Sequence, residues 1–175
     1  KSKLKEVEEY WKNWLEQSDV IIITLGLIEA WIDKGNGKAW QAFVGNPLSR
    51  KSFDDLAQFK ALSFDECLTE VRKSIDLVNS FGKEKNIIIT LSPIPLEFTF
   101  RDQDIITANR VSKSTLRVVA DQICQDYENA YYFPSFEIVM DCVGPEAFKE
   151  DLRHIKPEVF SGLIAPQFLE SFGDF

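Results

Sequence analysis

Two short runs of β-branched residues restrict this chain more than any other feature. Val20–Leu25 and Ile87–Leu91 are almost continuously apolar and lack the alternation of a half-exposed strand. Runs of this length and kind suit strands buried on both faces, as in a parallel sheet. Gly26 ends the first. Ser92-Pro93-Ile94-Pro95 ends the second, and its prolines forbid helix and hold the chain extended. A third, shorter strand is read at Ala130–Pro134.

Helical patterns separate these runs. Residues 1–17 place Leu4, Val7, Trp11, Trp14 and Leu15 at helical spacing among Lys and Glu, so the tryptophans are expected on a core face. Ser63-Phe64-Asp65-Glu66 has the form of a capping box, with Ser63 as N-cap and Glu66 reaching back. Leu68, Val71, Ile75 and Val78 then point inward, and Gly82 is the expected stop. After a polar loop, Arg101–Asp104, a third helix is expected from Ala108, with Leu116, Val119, Ala120, Ile123 and Tyr127 inside. Pro157 suits the first turn of a last helix, docked by Val159, Phe160, Leu163, Ile164 and Phe168. Leu27-Ile28-Glu29-Ala30-Trp31 follows the first strand, and then a loop rich in glycine (Gly35, Gly37, Gly45) runs through Pro47 to about Ser52. It contains neither GxGxxG nor GxxxxGK[ST], so phosphate binding is not inferred from its glycines.

Strands alternating with helices imply right-handed crossovers and a three-layer α/β/α sandwich around a parallel sheet. Ligands bind such sheets outside the carboxyl ends of the strands. Gly26–Glu29, Ser92–Pro95, Ser135–Glu137 and Asp151–His154, each read as following a strand, would therefore converge on one rim. Three parallel strands leave an open edge, which proteins do not tolerate uncovered. Further strands upstream, or another chain, are the expected cover.

At 175 residues with 45% hydrophobic residues, positions 1–175 read as one globular domain. A net charge of −8 argues against nonspecific nucleic-acid binding. No apolar run approaches the roughly 20 residues of a membrane span. Cys67, Cys124 and Cys142 are odd in number and widely spaced, and read as reduced core cysteines. With one histidine and no cysteine pair, neither a metal site nor a cofactor is expected. Reduced cysteines without a visible signal peptide point to the cytoplasm, although Lys1 in place of Met reads as a processed start.

His154 is the one histidine, and Asp151 precedes it by three positions. A carboxylate holding an imidazole is the arrangement that lets histidine take a proton from a nucleophile near neutral pH. The alternative is a local cap beside a surface histidine. Gly26 would let backbone N–H approach an oxyanion, and Glu29 would orient substrate or a neighbouring loop. Ser92, Ser112 and Ser135 have the chemistry of nucleophiles, but none lies in GxSxG. Ser92 and Ser135 are better read as lining a site. Lys113 and Arg117 offer positive charge for an anion, though helix-surface charges are usually just solvated.

Five ordered motifs, spread from about residue 18 to 169, resemble the GSCFA domain family, placed with the SGNH (GDSL-like) hydrolases. They are Thr24-Leu25-Gly26-Leu27-Ile28-Glu29-Ala30-Trp31, Leu91-Ser92-Pro93-Ile94-Pro95-Leu96, Ala108–Arg117, Tyr132-Phe133-Pro134-Ser135-Phe136-Glu137 and Asp151-Leu152-Arg153-His154. The resemblance implies a flavodoxin-like sandwich and an esterase acting on an acylated carbohydrate or another small ester. It gives Asp151 and His154 the catalytic Asp and His of a DxxH block. The family's GxND block, whose Asn helps form the oxyanion hole, corresponds to Gly26-Leu27-Ile28-Glu29, so Ile28 stands where Asn is expected. The GSCFA motif with its nucleophilic serine is not in the chain. The resemblance therefore implies a C-terminal portion, completed by an N-terminal segment with the first strands. Two other readings remain: a non-catalytic binding or assembly module that keeps the fold, and an O-acyltransferase.

Overall fold

The computed structural model describes residues 2–40 and 55–173; Gly45, Pro47 and Ser52 lie outside them. β1 (Val20–Leu25), β4 (Asn86–Leu91) and β5 (Ala130–Phe133) form a parallel sheet in the order β1-β4-β5. Ile21 pairs with Ile87, and Ile87 with Ala130, so the carboxyl ends of all three strands lie together. Burial follows from register. Ile87, Ile89 and Leu91 face one layer, and Ile88 faces the other; all four are completely buried.

The first layer is α2 (Phe64–Asn79) and α3 (Ile105–Asp126), which bring Leu68, Ile75, Leu116, Val119 and Ile123 onto Ile87 and Ile89. The capping box of α2 forms as its sequence dictates: Ser63 Oγ accepts from Glu66 N, and Glu66 Oε2 accepts from Ser63 N. α3 begins three residues before the expected Ala108, because Asp104 caps it by accepting from Thr107 N at 2.8 Å. The second layer comes from the C-terminal third. α4 (Ser135–Glu137) runs into a π turn, Ile138–Val143. α5 (Pro157–Val159) runs through another, Phe160–Ile164, into α6 (Ala165–Phe172). Ile138, Val139, Ile164 and Phe168 cover Ile88 and Phe133. The result is the α/β sandwich expected from the alternation.

The stretch after Gly26, to which the sequence assigned no element, holds a strand that runs into the start of the expected loop. β2 (Glu29–Asp33) pairs antiparallel with β3 (Ala57–Ala61), Trp31 opposite Phe59. The turn after β2 is held by Asp33, whose Oδ1 accepts from Gly35 N and Asn36 N, while Gly37 takes a positive φ of 71°. Polar residues at strand positions hid this small sheet.

The tryptophan face of α1 (Ser2–Gln17) is a second correction. The helix forms, but Val7, Trp11 and Trp14 are each about half exposed. Amphipathic spacing produced the helix, yet no described element packs on its apolar stripe. Among the described residues the same side of the sheet is open. β1 is an edge strand, and Ile22 and Thr24, on the face covered elsewhere by the C-terminal helices, are exposed. Smaller corrections concern Cys142, which is exposed, and Phe160, which is 59% exposed instead of docked.

Candidate active site

The site grows out of the loops that follow β1 and β4, and one polar stripe of α3 holds both from behind. Asn109, Ser112 and Lys113 recur at helical spacing on the inward side of α3. Asn109 Oδ1 accepts from Leu96 N at 3.1 Å, and Ser112 Oγ accepts from Ile28 N at 3.2 Å. Lys113 Nζ donates to Gly26 O at 3.0 Å and Ile94 O at 2.8 Å. Lys113 is therefore not the solvated helix-surface charge expected; it is 2% exposed, and burial lowers its pKa to about 8. Polar residues at positions where the helical period demands apolar ones were the available signal.

Asp151 and His154 lie in a loop closed by a bridge between Phe148 and Ile155, with Lys149 N donating to His154 O at 2.8 Å. This loop follows a 3₁₀ turn, Gly144–Ala147, and not a strand as expected. Asp151 Oδ2 sits 2.6 Å from His154 Nδ1, while Oδ1 accepts from Arg153 N at 3.0 Å and His154 N at 2.9 Å. The His154 side chain, then its N–H and that of Arg153, hold the Asp151 carboxyl far below the usual carboxylate range. With Nδ1 engaged, His154 has Nε2 left for a proton. Leu152, between the partners, has φ of 54°, a left-handed conformation that costs about 1 kcal/mol for such a residue. Strain of this sort tends to cluster at functional sites.

Two clefts meet at Ser92 and Ile94, which line both. The first, about 490 Å³, is bounded by Gly26, Glu29 and Arg153 and by a wall of aromatic rings from β2, β3 and the loop after β4. The second, about 450 Å³, is almost wholly apolar and lies between bare β1 (Ile22, Thr24) and the C-terminal helices (Phe160, Ile164, Phe168). Arg153 borders the first and Ile155 the second, so His154 lies between them in the chain.

The remaining sequence candidates divide by what their polar atoms do. Glu29 accepts from Thr99 Oγ1 at 2.8 Å and so ties β2 to the loop after β4. The Gly26 carbonyl is taken by Lys113. Ser92 Oγ accepts from Ile94 N at 3.3 Å and faces both clefts. Ser135 is buried; its hydroxyl donates to Leu91 O at 2.9 Å and lies 2.6 Å from Thr90 Oγ1, which binds β5 to β4. Ile28, at the position where the resemblance expects Asn, is a core residue 3% exposed. Arg117 is engaged by Glu137 at 2.9 Å and lies 4.1 Å over the Tyr132 ring. Arg153, which sequence reasoning passed over, pairs with Glu97 at 2.5 Å, and its buried Nε has no hydrogen-bond partner among the described residues. Among those residues no group of three His, Cys, Asp or Glu is placed to hold a metal ion. None of their helices is long and apolar enough to cross a membrane.

No curated protein and no solved structure matches the chain. The model of the GSCFA family matches residues 1–167, nearly the whole chain and all five of the sequence motifs. This chain belongs to the GSCFA family.

Proposed function

We propose that this chain carries the acid–base half of an SGNH-type ester-cleaving site, for an acylated carbohydrate or another small ester. The observation that carries the reading is the Asp151–His154 pair: a 2.6 Å contact to Nδ1, with Asp151 fixed by two backbone N–H groups. In the reaction a serine hydroxyl attacks the ester carbonyl, its proton passes to His154 Nε2, and the carbonyl π pair moves to oxygen. Collapse expels the alcohol, which takes that proton. Water then repeats the sequence on the acyl-enzyme. Asp151 holds the tautomer and stabilises the imidazolium.

Ser135 and Ser92 are poor nucleophiles here, because the first is committed to Leu91 and Thr90 and the second accepts from Ile94 N. The serine is assigned to a segment that pairs with the free edge of β1 and lays a helix over Ile22 and Thr24. The outer edge of β1, which no described strand covers, and the apolar cleft beside it support that assignment. The rim formed by Gly26, Glu29 and Ser92 lines the substrate side.

The test is labelling of the full-length protein by a fluorophosphonate probe. Labelling is expected in the native protein and absent in His154→Ala. Labelling that survives that substitution rules out the role given to His154. Product analysis with a sugar acceptor present separates hydrolysis from O-acyl transfer. A non-catalytic module is the second reading, and Ile28 favours it: a buried aliphatic residue offers no side-chain donor to an oxyanion.

A further inference from the structure

The aromatic wall of the first cleft goes beyond what the core or the Asp151–His154 pair requires. Trp31 on β2, Phe59 on β3 and Phe100 form a mutual cluster with ring centroids 4.9 to 5.6 Å apart, and Phe98 adds a ring 5.6 Å from Phe100. Phe98 and Phe100 remain 44% and 46% exposed, so their ring surface meets solvent beside the candidate site. Contiguous exposed apolar surface rimmed by polar groups marks a place of binding. The polar rim consists of Glu29, Glu97 and Arg153.

These charges limit what can lie there. An anion would meet two carboxylates against one guanidinium, which Glu97 already holds. A cation would meet Arg153. An alkyl chain would bury all three charged groups without giving them a partner, which is costly. A neutral ring with one apolar C–H face and a hydroxyl edge meets none of these objections. Its face stacks on Trp31 and Phe100. Its hydroxyls donate to Glu29 and Glu97, the carboxylates that line the cleft.

The geometry points to a subsite for a neutral sugar ring in the cleft between β2, β3 and the loop after β4. It rests on the esterase reading only for its role, which is to hold the alcohol side of the ester next to His154. Its existence is read without turnover. The full-length protein is titrated with neutral hexasaccharides of glucan, xylan and mannan type, with a galacturonate oligomer, and with choline. Binding is followed by calorimetry and by the indole resonances of Trp31 and Trp40.

At least one neutral glycan is expected to saturate and to shift the Trp31 indole. Phe98→Ala and Phe100→Ala are each expected to weaken it about fivefold, with cooperative urea unfolding retained. Failure of every neutral glycan to bind overturns the subsite. So does binding that leaves the Trp31 indole unmoved, native affinity retained in both variants, or preference for galacturonate or choline. Sugar binding in a protein that a fluorophosphonate does not label overturns the esterase reading alone.

Discussion

Lys113 offers a quantitative test of how the site is held. The residue is 2% exposed, its ammonium donates to the carbonyls of Gly26 and Ile94, and burial depresses its pKa from the ordinary 10.5 to about 8. Deprotonation costs the fold no partner, because a neutral amine still has two N–H donors, one for each carbonyl. Between pH 8 and 10.5 the unfolded chain keeps this proton while the folded one releases it, so stability rises with pH through that window. The contribution is fully present above 10.5 and is lost as pH falls through 8. A shift of about 2.5 units corresponds to about 3 kcal/mol.

Tyr127, pushed up to about 12 by burial and by Asp76, and the raised thiols of Cys67 and Cys124 oppose this rise in the whole protein. The comparison with Lys113→Met cancels them. Urea unfolding of both proteins at half-unit steps from pH 7.5 to 10.5 gives the difference in stability at each pH. That difference is expected to move by about 3 kcal/mol in favour of the native protein. Its starting value, which mixes lost hydrogen bonds with relief from burying a charge, does not matter. A flat difference refutes the view that Lys113 is a desolvated clamp.

Other outcomes follow from single contacts. Ser63→Ala removes the reciprocal cap of α2 and is expected to cost about 1 kcal/mol in urea unfolding. Trp11→Ser, in the half-exposed stripe of α1, is expected to change the stability of this chain by less than about 0.5 kcal/mol; a larger loss would mean that the stripe is packed. Ile88→Ala empties a fully buried position between sheet and C-terminal helices and is expected to cost about 3 kcal/mol. Asp151→Asn keeps the shape of the loop but removes the charge beside Nδ1. It is expected to lower fluorophosphonate labelling of the full-length protein at least about a hundredfold.

The parts of the fold that were legible in sequence are those where one force dominates. Val20–Leu25 and Asn86–Leu91 form strands because such β-branched runs suit a parallel sheet, although only the second is covered on both faces, and α2 starts at its capping box. Legibility fails where tertiary partners decide. β2 and β3 have mixed polar composition and pair through Trp31 and Phe59, a contact that no local pattern announces. α1 shows the reverse failure: periodicity gives a face but not a surface for it to pack against. Asp151 and His154 were visible as a spacing, but the bridge between Phe148 and Ile155 that presents them was not.

Lys113 was misread for a related reason, and the misreading explains how the rim is built. A charged residue one turn from Asn109 looks solvated until its neighbours are counted. Ala108, Ser112, Leu116 and Val119 are all buried, so the helical period puts Lys113 inside with them. A polar residue at such a position is kept only if the backbone opposite offers partners, and the loops after two parallel strands do offer them, since their carbonyls and N–H groups have left the sheet. Asn109, Ser112 and Lys113 supply these loops with three matching side chains along a single turn of helix. Gly26, Ile28, Ile94 and Leu96 are thereby fixed relative to one another by one rigid element. Across the rim, the Arg153–Glu97 pair joins the Asp151–His154 loop to the same segment. The acid–base pair and the aromatic cleft thus share one support, so a change in Lys113 should be felt at both.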